Sequence, residues 1–300
     1  MNEISAIIVV KDNPPHLFKT IQSIDSLVKQ IVIADIGINP LTLSKLKENK
    51  KLKVVRIKKD VQYVELIREE LKQHASCEYI LYIDPDEVFP ESLIQHLSSS
   101  YYKYAYIKIP RRNIIFGKWI EHGRWWPDYQ VRLFKKTMVT WPKLLHTQPQ
   151  VSGNGYTIEP KKEYAIIHHN YESVDEFIEK ATRYAKSEAN EISSFSLGEA
   201  LKKALSEFTS RYFSDEGYKD GMHGFVLSFL QMFYYFLVYV YYWEKTRFVQ
   251  TDTSIIHDVH HFFKQGMLES NYWIIKKRLD SSFGTIKRKL HMELTKLLSS

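Results

Sequence analysis

Cysteine is almost absent, with Cys77 the single one in 300 residues. One thiol closes no intrachain disulfide, so the fold draws nothing from an oxidising compartment. Glycine and proline are sparse, at 11 and 10 residues, with no internal repeat and no low-complexity tract. Fibrous and disordered classes are thereby excluded. The start, Met1 to Ser5, has no basic segment, and the apolar run after it stops at Lys11 without a small-residue cleavage site. The run is therefore read as part of the folded protein, and cytoplasmic residence is expected.

What is present is an ordinary globular composition, 44% apolar and 26% charged, enough for one large or two modest cores. Lys and Arg number 42 against 35 Asp and Glu. The net charge of +7 favours anionic partners without choosing among nucleotides, phospholipid and nucleic acid. The basic excess gathers in residues 244–300, where ten Lys or Arg face six Asp or Glu. No recognisable nucleic-acid motif accompanies it, so nucleic acid is not expected as a partner.

Ile4 to Val10 is a β-branched run of strand length, followed by the polar Lys11-Asp12-Asn13-Pro14-Pro15. Leu17, Ile21 and Ile24 then share a helical face, and residues 30–34 form a second strand ending at Asp35. A short helix over 41–49, a strand over 53–57, a longer helix over 61–74 and a strand over 79–83 continue the alternation. The pattern predicts an α/β fold, Rossmann-like, with a mostly parallel sheet and helices on both faces. Ligands in such sheets lie beyond the carboxyl ends of the strands, where Lys11, Asp12, Asp35 and Asp84 fall. After residue 104 the alternation gives way to a mixed β region, and from Ser173, an N-cap candidate with Glu176 three residues on, the chain reads as helical. The predicted organisation is a domain over 1–170, a helical region over 171–243 and a basic helical extension over 244–300.

Asp84-Pro85-Asp86-Glu87 directly follows an apolar strand. Two carboxylates there, with Asp35 in the same crevice, make an all-oxygen site suited to Mg²⁺ or Mn²⁺. Such a cation bridges the phosphates of a nucleotide and neutralises a departing diphosphate. The alternative is a turn in which Asp86 caps the helix that begins near Pro90.

These residues resemble the glycosyltransferase family 2 enzymes, and within them the WaaE-type lipopolysaccharide core glucosyltransferases. The resemblance covers roughly residues 4–245. It is carried by Lys11, Asp35, the 84–87 motif, the block from Pro110 through Trp119, His122-Gly123 and Trp126 to Phe134, and the turn over Gly217–Gly221. It implies a GT-A fold, a UDP-sugar donor, Mg²⁺ or Mn²⁺, and inversion at the anomeric carbon. By the same resemblance Val10, Lys11 and Asp12 line the base and ribose pocket, Asp35 bonds the uracil, and Arg68 approaches the diphosphate. Asp84 and Asp86 hold ribose and metal, with His146 as a third metal ligand. Asp128 is the general base, because direct inversion needs one carboxylate to take the acceptor proton; its alternative is an ion pair with Arg132. Trp119, Trp125 and Trp126, with His122 and Arg124 among them, stack on sugar faces and contact an anionic acceptor, or else form a hydrophobic seam. His168 and His169 read as structural. The chain departs from the family pattern at Asn13, at residues 36–40 and at Thr147, where carboxylates are lost.

Gly221 to Trp243 holds no charged side chain and ten aromatics in 23 residues. It is long enough to span a bilayer, but its Tyr and Trp content favours the interface, and a buried helix is the third reading. Period-seven apolar series within residues 272–297 suggest a homo-oligomerisation seam, or packing on the chain itself. The resulting expectation is a metal-dependent inverting transferase, peripheral on the inner face of an anionic membrane. It moves glucose from UDP-glucose to a lipid-linked or lipopolysaccharide-core saccharide. The rivals are transfer to a peptide or polyprenyl phosphate, and a degenerate transferase-fold scaffold.

Overall fold

The computed structural model describes residues 3–58, 61, 63–142, 148–250 and 254–279. In chain order it runs β1 (Ile4–Asp12), α1 (Leu17–Ile24), β2 (Gln30–Ile38), α2 (Pro40–Leu46), β3 (Leu52–Arg56), α3 (Arg68–Leu71), β4 (Tyr79–Tyr82), β5 (Glu87–Val88) and α4 (Glu91–Ser100). There follow β6 (Tyr106–Ile115), β7 (Lys118–Trp119), β8 (Asp128–Lys135), β9 (Val139–Thr140), β10 (Gln150–Val151), β11 (Gly155–Thr157) and β12 (Ile166–Tyr171). Then come α5 (Val174–Glu191), α6 (Leu197–Thr209), α7 (Met222–Lys245) and α8 (Ile255–Lys277). Two compact units divide it: Met1–Ile114 with Pro127–Asn170, and Ile115–Trp126 with the chain from Tyr171 onward.

The first unit is the expected α/β fold, a largely parallel sheet with helices on both faces. Its main sheet has the order β3-β2-β1-β4-β8-β6-β12-β5. The first four strands are parallel, and β8 then enters antiparallel between β4 and β6. Alternation along β1 explains why both faces are covered. Ile4, Ala6, Ile8 and Val10 pack with Leu17, Ile21 and Ile24 of α1 and with Leu93 and Leu97 of α4. Ile7 faces the other way, joining Val32, Ile67, Leu71, Phe134 and Trp141. The helix expected over 61–74 is instead two 3₁₀ turns flanking the single turn of α3. The Tyr82 hydroxyl donates to the Arg68 carbonyl, competing for an acceptor that a continuous helix would use.

In the second unit Ser173 caps α5 through the Glu176 amide, as its spacing predicts, and Ser196 and Glu199 complete a reciprocal capping box on α6. α6 runs on into a turn of π-helix at Ser210–Ser214. α7 packs against α5 and α6, burying Gly224, Leu227, Ser228 and Val238. Gly224 is required there, since a Cβ would overlap the Gly217 carbonyl oxygen. By length and composition α7 is long enough to cross a membrane, and 22% of its most apolar stretch is buried. Phe225, Phe229 and Phe233, four residues apart, stand 42%, 48% and 40% exposed on one face. Most of the heptad series expected over 272–297 lies outside the described residues.

Candidate functional site

Strand register assembles a carboxylate and arginine cluster at the carboxyl end of β4. Ile7 pairs with Tyr82, the last residue of β4, so β4 stops while β1 runs on to Asp12, and the Asp84–Glu87 turn follows at once. That turn closes on itself: the Glu87 amide donates to the Asp84 carbonyl, and the Asp84 amide to Glu87 Oε2. β8 and β6 pair Asp128 directly with Arg111. β12 and β5 pair His168 with Glu87. Residues up to 83 positions apart in sequence, Asp86 and His169, thus meet at 2.9 Å.

Glu87 is fully buried and accepts from Arg132 and from Arg111 Nη1 (3.2 Å). Arg132, 1% exposed, also donates to Asp84 Oδ2. Arg68 Nη2 stands 3.6 Å from Asp84 Oδ1, its guanidinium over the Trp141 ring. Burial alone would raise the Asp84 pKa, but Arg132, then Arg68 and Arg111, outweigh it and hold the carboxyl well below the usual range. Asp128 does not pair with Arg132. Its Oδ2 takes Arg111 Nε at 2.9 Å and Asn113 Nδ2 at 3.3 Å, while Oδ1 takes Gln130 Nε2 at 2.8 Å. These donors, Arg111 foremost, overcome burial and lower its pKa.

Asp86 is not a helix cap, because α4 starts behind Pro90 with no side-chain cap. His168 Nε2 lies 3.7 Å from Asp86 Oδ1, and its Nδ1 is 2.6 Å from Asn113 Oδ1. Asn113 Nδ2 donates to Asp128, so its Oδ1 is the acceptor and His168 Nδ1 carries the proton. In the neutral ring Nε2 then offers a lone pair toward Asp86. The neighbouring His169 donates its amide to the Asp86 carbonyl and stacks on His16 at 3.8 Å.

The donor set fits a hard divalent cation in one respect: such ions take one or two protein carboxylates and complete their shell with phosphate and water. Asp86 and His168 Nε2 supply one oxygen and one nitrogen, with Asp84 behind them committed to arginine. His146, expected as a third ligand, lies outside the described residues.

The other expected residues divide by burial. Lys11 and Asp12 are exposed at the end of β1, where Asp12 has φ 53° and the register against β2 slips. The Val10 side chain is fully buried in the core, so it can meet a ligand only through its backbone. Asp35, 7% exposed, takes the amides of Gly37 and Ile38 on Oδ1. It lines a cavity of about 490 Å³ with Gly37, Pro40, Leu43, Lys47 and Arg56. In the sheet order β2 and β4 flank β1, which sets Asp35 and Asp84 two strand spacings apart, about 10 Å.

The expected acceptor residues belong to the second unit. Trp119 and Trp126 meet edge to face at 5.3 Å. Trp125 packs on the Ile115–Ile120–Leu227 cluster inside the second unit, within reach of the Arg211 guanidinium. Arg124 is already engaged by Asp215 (2.6 Å) and Glu207 (3.4 Å), so its charge is compensated rather than presented to an anionic acceptor. His122 sits against Asp220, which is 4% exposed and accepts the Glu121 and His122 amides.

Sequence reasoning left Glu87, Arg111, Asn113 and Arg132 without catalytic-centre roles and took His168 as structural. Their only signal is that Glu87 closes the 84–87 motif and that Arg111, Asn113 and Arg132 are polar residues within the mixed β region, where a buried charge needs a partner.

No protein-family model matches the chain, and no curated protein matches it in sequence. Among solved structures it is similar to S. aureus TarS, with a TM-score of 0.42 and 14% identity over 73% of this chain and 46% of that one. It therefore spans about half the length of that structure. It is also similar to S. aureus TarS 1-349 in complex with UDP (TM-score 0.44, 11% identity, 84% and 94% covered). A third is GalNAc-T7 with UDP, GalNAc and Mn²⁺ (TM-score 0.29, 20% identity, 38% and 23% covered). At these TM-scores the likeness bears on neither activity nor substrate.

Proposed function

We propose that the protein is an inverting, metal-dependent glycosyltransferase using a UDP-sugar, with a lipid-linked or lipopolysaccharide-core saccharide as acceptor and glucose as the sugar. The observation that carries the reading is Asp86, set beside His168 Nε2 and flanked by an arginine-balanced carboxylate cluster at the ends of parallel strands. The cavity walled by Asp35 two strands away takes the base, at a separation that suits a nucleoside diphosphate lying across β1.

A divalent cation at Asp86 would supply neutralisation of the diphosphate charge. Arg68 neutralises the leaving diphosphate from the protein side. Asp128 Oδ1, which accepts from Gln130, takes the acceptor hydroxyl proton, while Arg111 and Asn113 hold the carboxylate in place through Oδ2. The acceptor oxygen bonds to the anomeric carbon as the bond to the phosphate oxygen breaks, and UDP leaves. The exposed phenylalanines of α7 and the basic excess after residue 244 support attachment at an anionic membrane surface.

Titration calorimetry of UDP with and without Mn²⁺ tests the reading. Asp86→Ala should abolish Mn²⁺-dependent binding; unchanged UDP affinity in that variant, or in EDTA, overturns the metal and donor assignment. A panel of UDP-sugars followed by thermal shift and slow donor hydrolysis identifies the sugar.

A further inference from the structure

The helices of the second unit hold two adjoining cavities of opposite character. The first, about 370 Å³, lies among α6, α7 and α8, walled by Leu205, Phe208, Phe213, Met232, Phe262 and Met267, with Phe229 also in its wall. The second, about 550 Å³, is lined by Lys202, Ser206, Ser210, Ser214, His261 and Trp273. Leu205 and Thr209 belong to both walls, so the cavities lie side by side along α6. The shared wall is where α6 passes into its π-helical turn. That turn sends Phe213 to the apolar cavity and Ser210 and Ser214 to the polar one. Turns of this kind collect at functional sites, because the irregular hydrogen bonding has to be maintained against a regular alternative.

The first cavity is open to solvent rather than enclosed, with Phe229, Phe263 and Met267 of its wall 48%, 68% and 57% exposed, and an apolar recess of this size is costly to leave facing water. At about 30 Å³ per small group, the share of one molecule in liquid water, the first cavity takes about a dozen methylenes. The polar cavity offers serine hydroxyls, an indole face, and the cationic or protonatable Lys202 and His261. Its one carboxylate, Glu269, is engaged by the Trp273 indole N–H at 3.2 Å. Phe225, Phe229 and Phe233 run along α7 from the apolar wall, half-exposed, a path for a hydrocarbon chain leaving a bilayer.

We infer that the paired cavities bind a single-chain lipid amphiphile, its tail among Phe208, Phe213, Met232 and Met267 and its anionic, hydroxyl-bearing head among Lys202, Ser206, Ser210 and His261. Only residues of the helical unit are used, so the inference stands or falls independently of the transferase reading.

The test is calorimetric titration of the full chain with lysophosphatidylglycerols of increasing acyl length, each below its micelle threshold. Affinity should tighten about fourfold per added methylene and level off near a dozen carbons, when the cavity is full. Gly266→Leu fills the cavity from α8; a Cβ there would stand 3.6 Å from Leu205 Cδ1, an ordinary contact. It should weaken the longest chain by roughly tenfold or more, the loss of about two buried methylenes' worth of contact, with an unchanged circular dichroism spectrum. Lys202→Glu should weaken the lysophosphatidylglycerol but not an alkyl glucoside of equal chain length. Affinity that climbs without levelling, or that Gly266→Leu leaves intact, overturns the inference. The chain-length series on the unmodified protein decides the matter even where a variant fails to fold.

Discussion

Arg132→Met removes the cation at the centre of the site. Arg132 is 1% exposed and bridges Asp84 and Glu87, and Glu87 is wholly inaccessible to water. Breaking a buried pair by deleting one partner costs about 3–5 kcal/mol. Glu87 would keep Arg111 Nη1 and the Asp84 amide, and Asp84 would keep Arg68 and some hydration, which favours the lower end, about 3 kcal/mol. For a 300-residue chain, at about 2.1 cal/mol/K of unfolding entropy per residue, that is roughly 5 °C in Tm. The effect should also depend on pH. The Asp84 carboxyl is depressed in the folded state, so the stability it contributes is complete above its unfolded pKa, about 3.9, and is lost as pH falls through the folded value. The variant forfeits most of that contribution, and the Tm gap from wild type should narrow below about pH 4. Adding Glu87→Gln removes the stranded charge and should recover part of the loss. Differential scanning calorimetry between pH 3 and 8 measures all of this. A pH-independent loss under about 2 °C, with no recovery in the double variant, would refute the idea that buried charge balance holds this site together.

Asp128→Asn should leave UDP binding nearly intact and lower transfer by about 10² to 10⁴. Because Arg111, Asn113 and Gln130 hold Asp128 below its ordinary value, its base form persists down to about pH 4, so the acidic limb of the rate profile should lie below that. A limb near pH 6 to 7, about the ordinary histidine value, would point to a histidine instead. Gly224→Ala should destabilise by about 1–3 kcal/mol in chemical denaturation, since the added methyl has to displace the Gly217 carbonyl. Phe225, Phe229 and Phe233 changed together to Ser should reduce sedimentation with anionic vesicles even at low salt, where electrostatic attraction is strongest. If the unmodified protein stays in the supernatant at low salt, the membrane assignment fails.

The local layers of this protein were legible in its sequence. β1, β2 and β4 show as short β-branched or aromatic runs, because a strand buried on both faces must be apolar throughout. The Ser173 cap shows because a side-chain oxygen three residues before an unpaired amide is a local matter. The Asp84–Glu87 turn shows because strand ends in a parallel sheet point at one crevice. The helix over 61–74 misled, since its apolar spacing is helical while the Arg68 carbonyl is claimed from β4, at a distance no local pattern registers. Partner choice was equally invisible. Arg132 stands four residues from Asp128, yet along β8 it bonds Asp84 and Glu87, while Asp128 faces Arg111 across the β8–β6 pairing. Charge and spacing along one chain determine which residues must find a counter-ion. Which counter-ion each finds is set by strand order and register, which exist only once residues distant in sequence have paired.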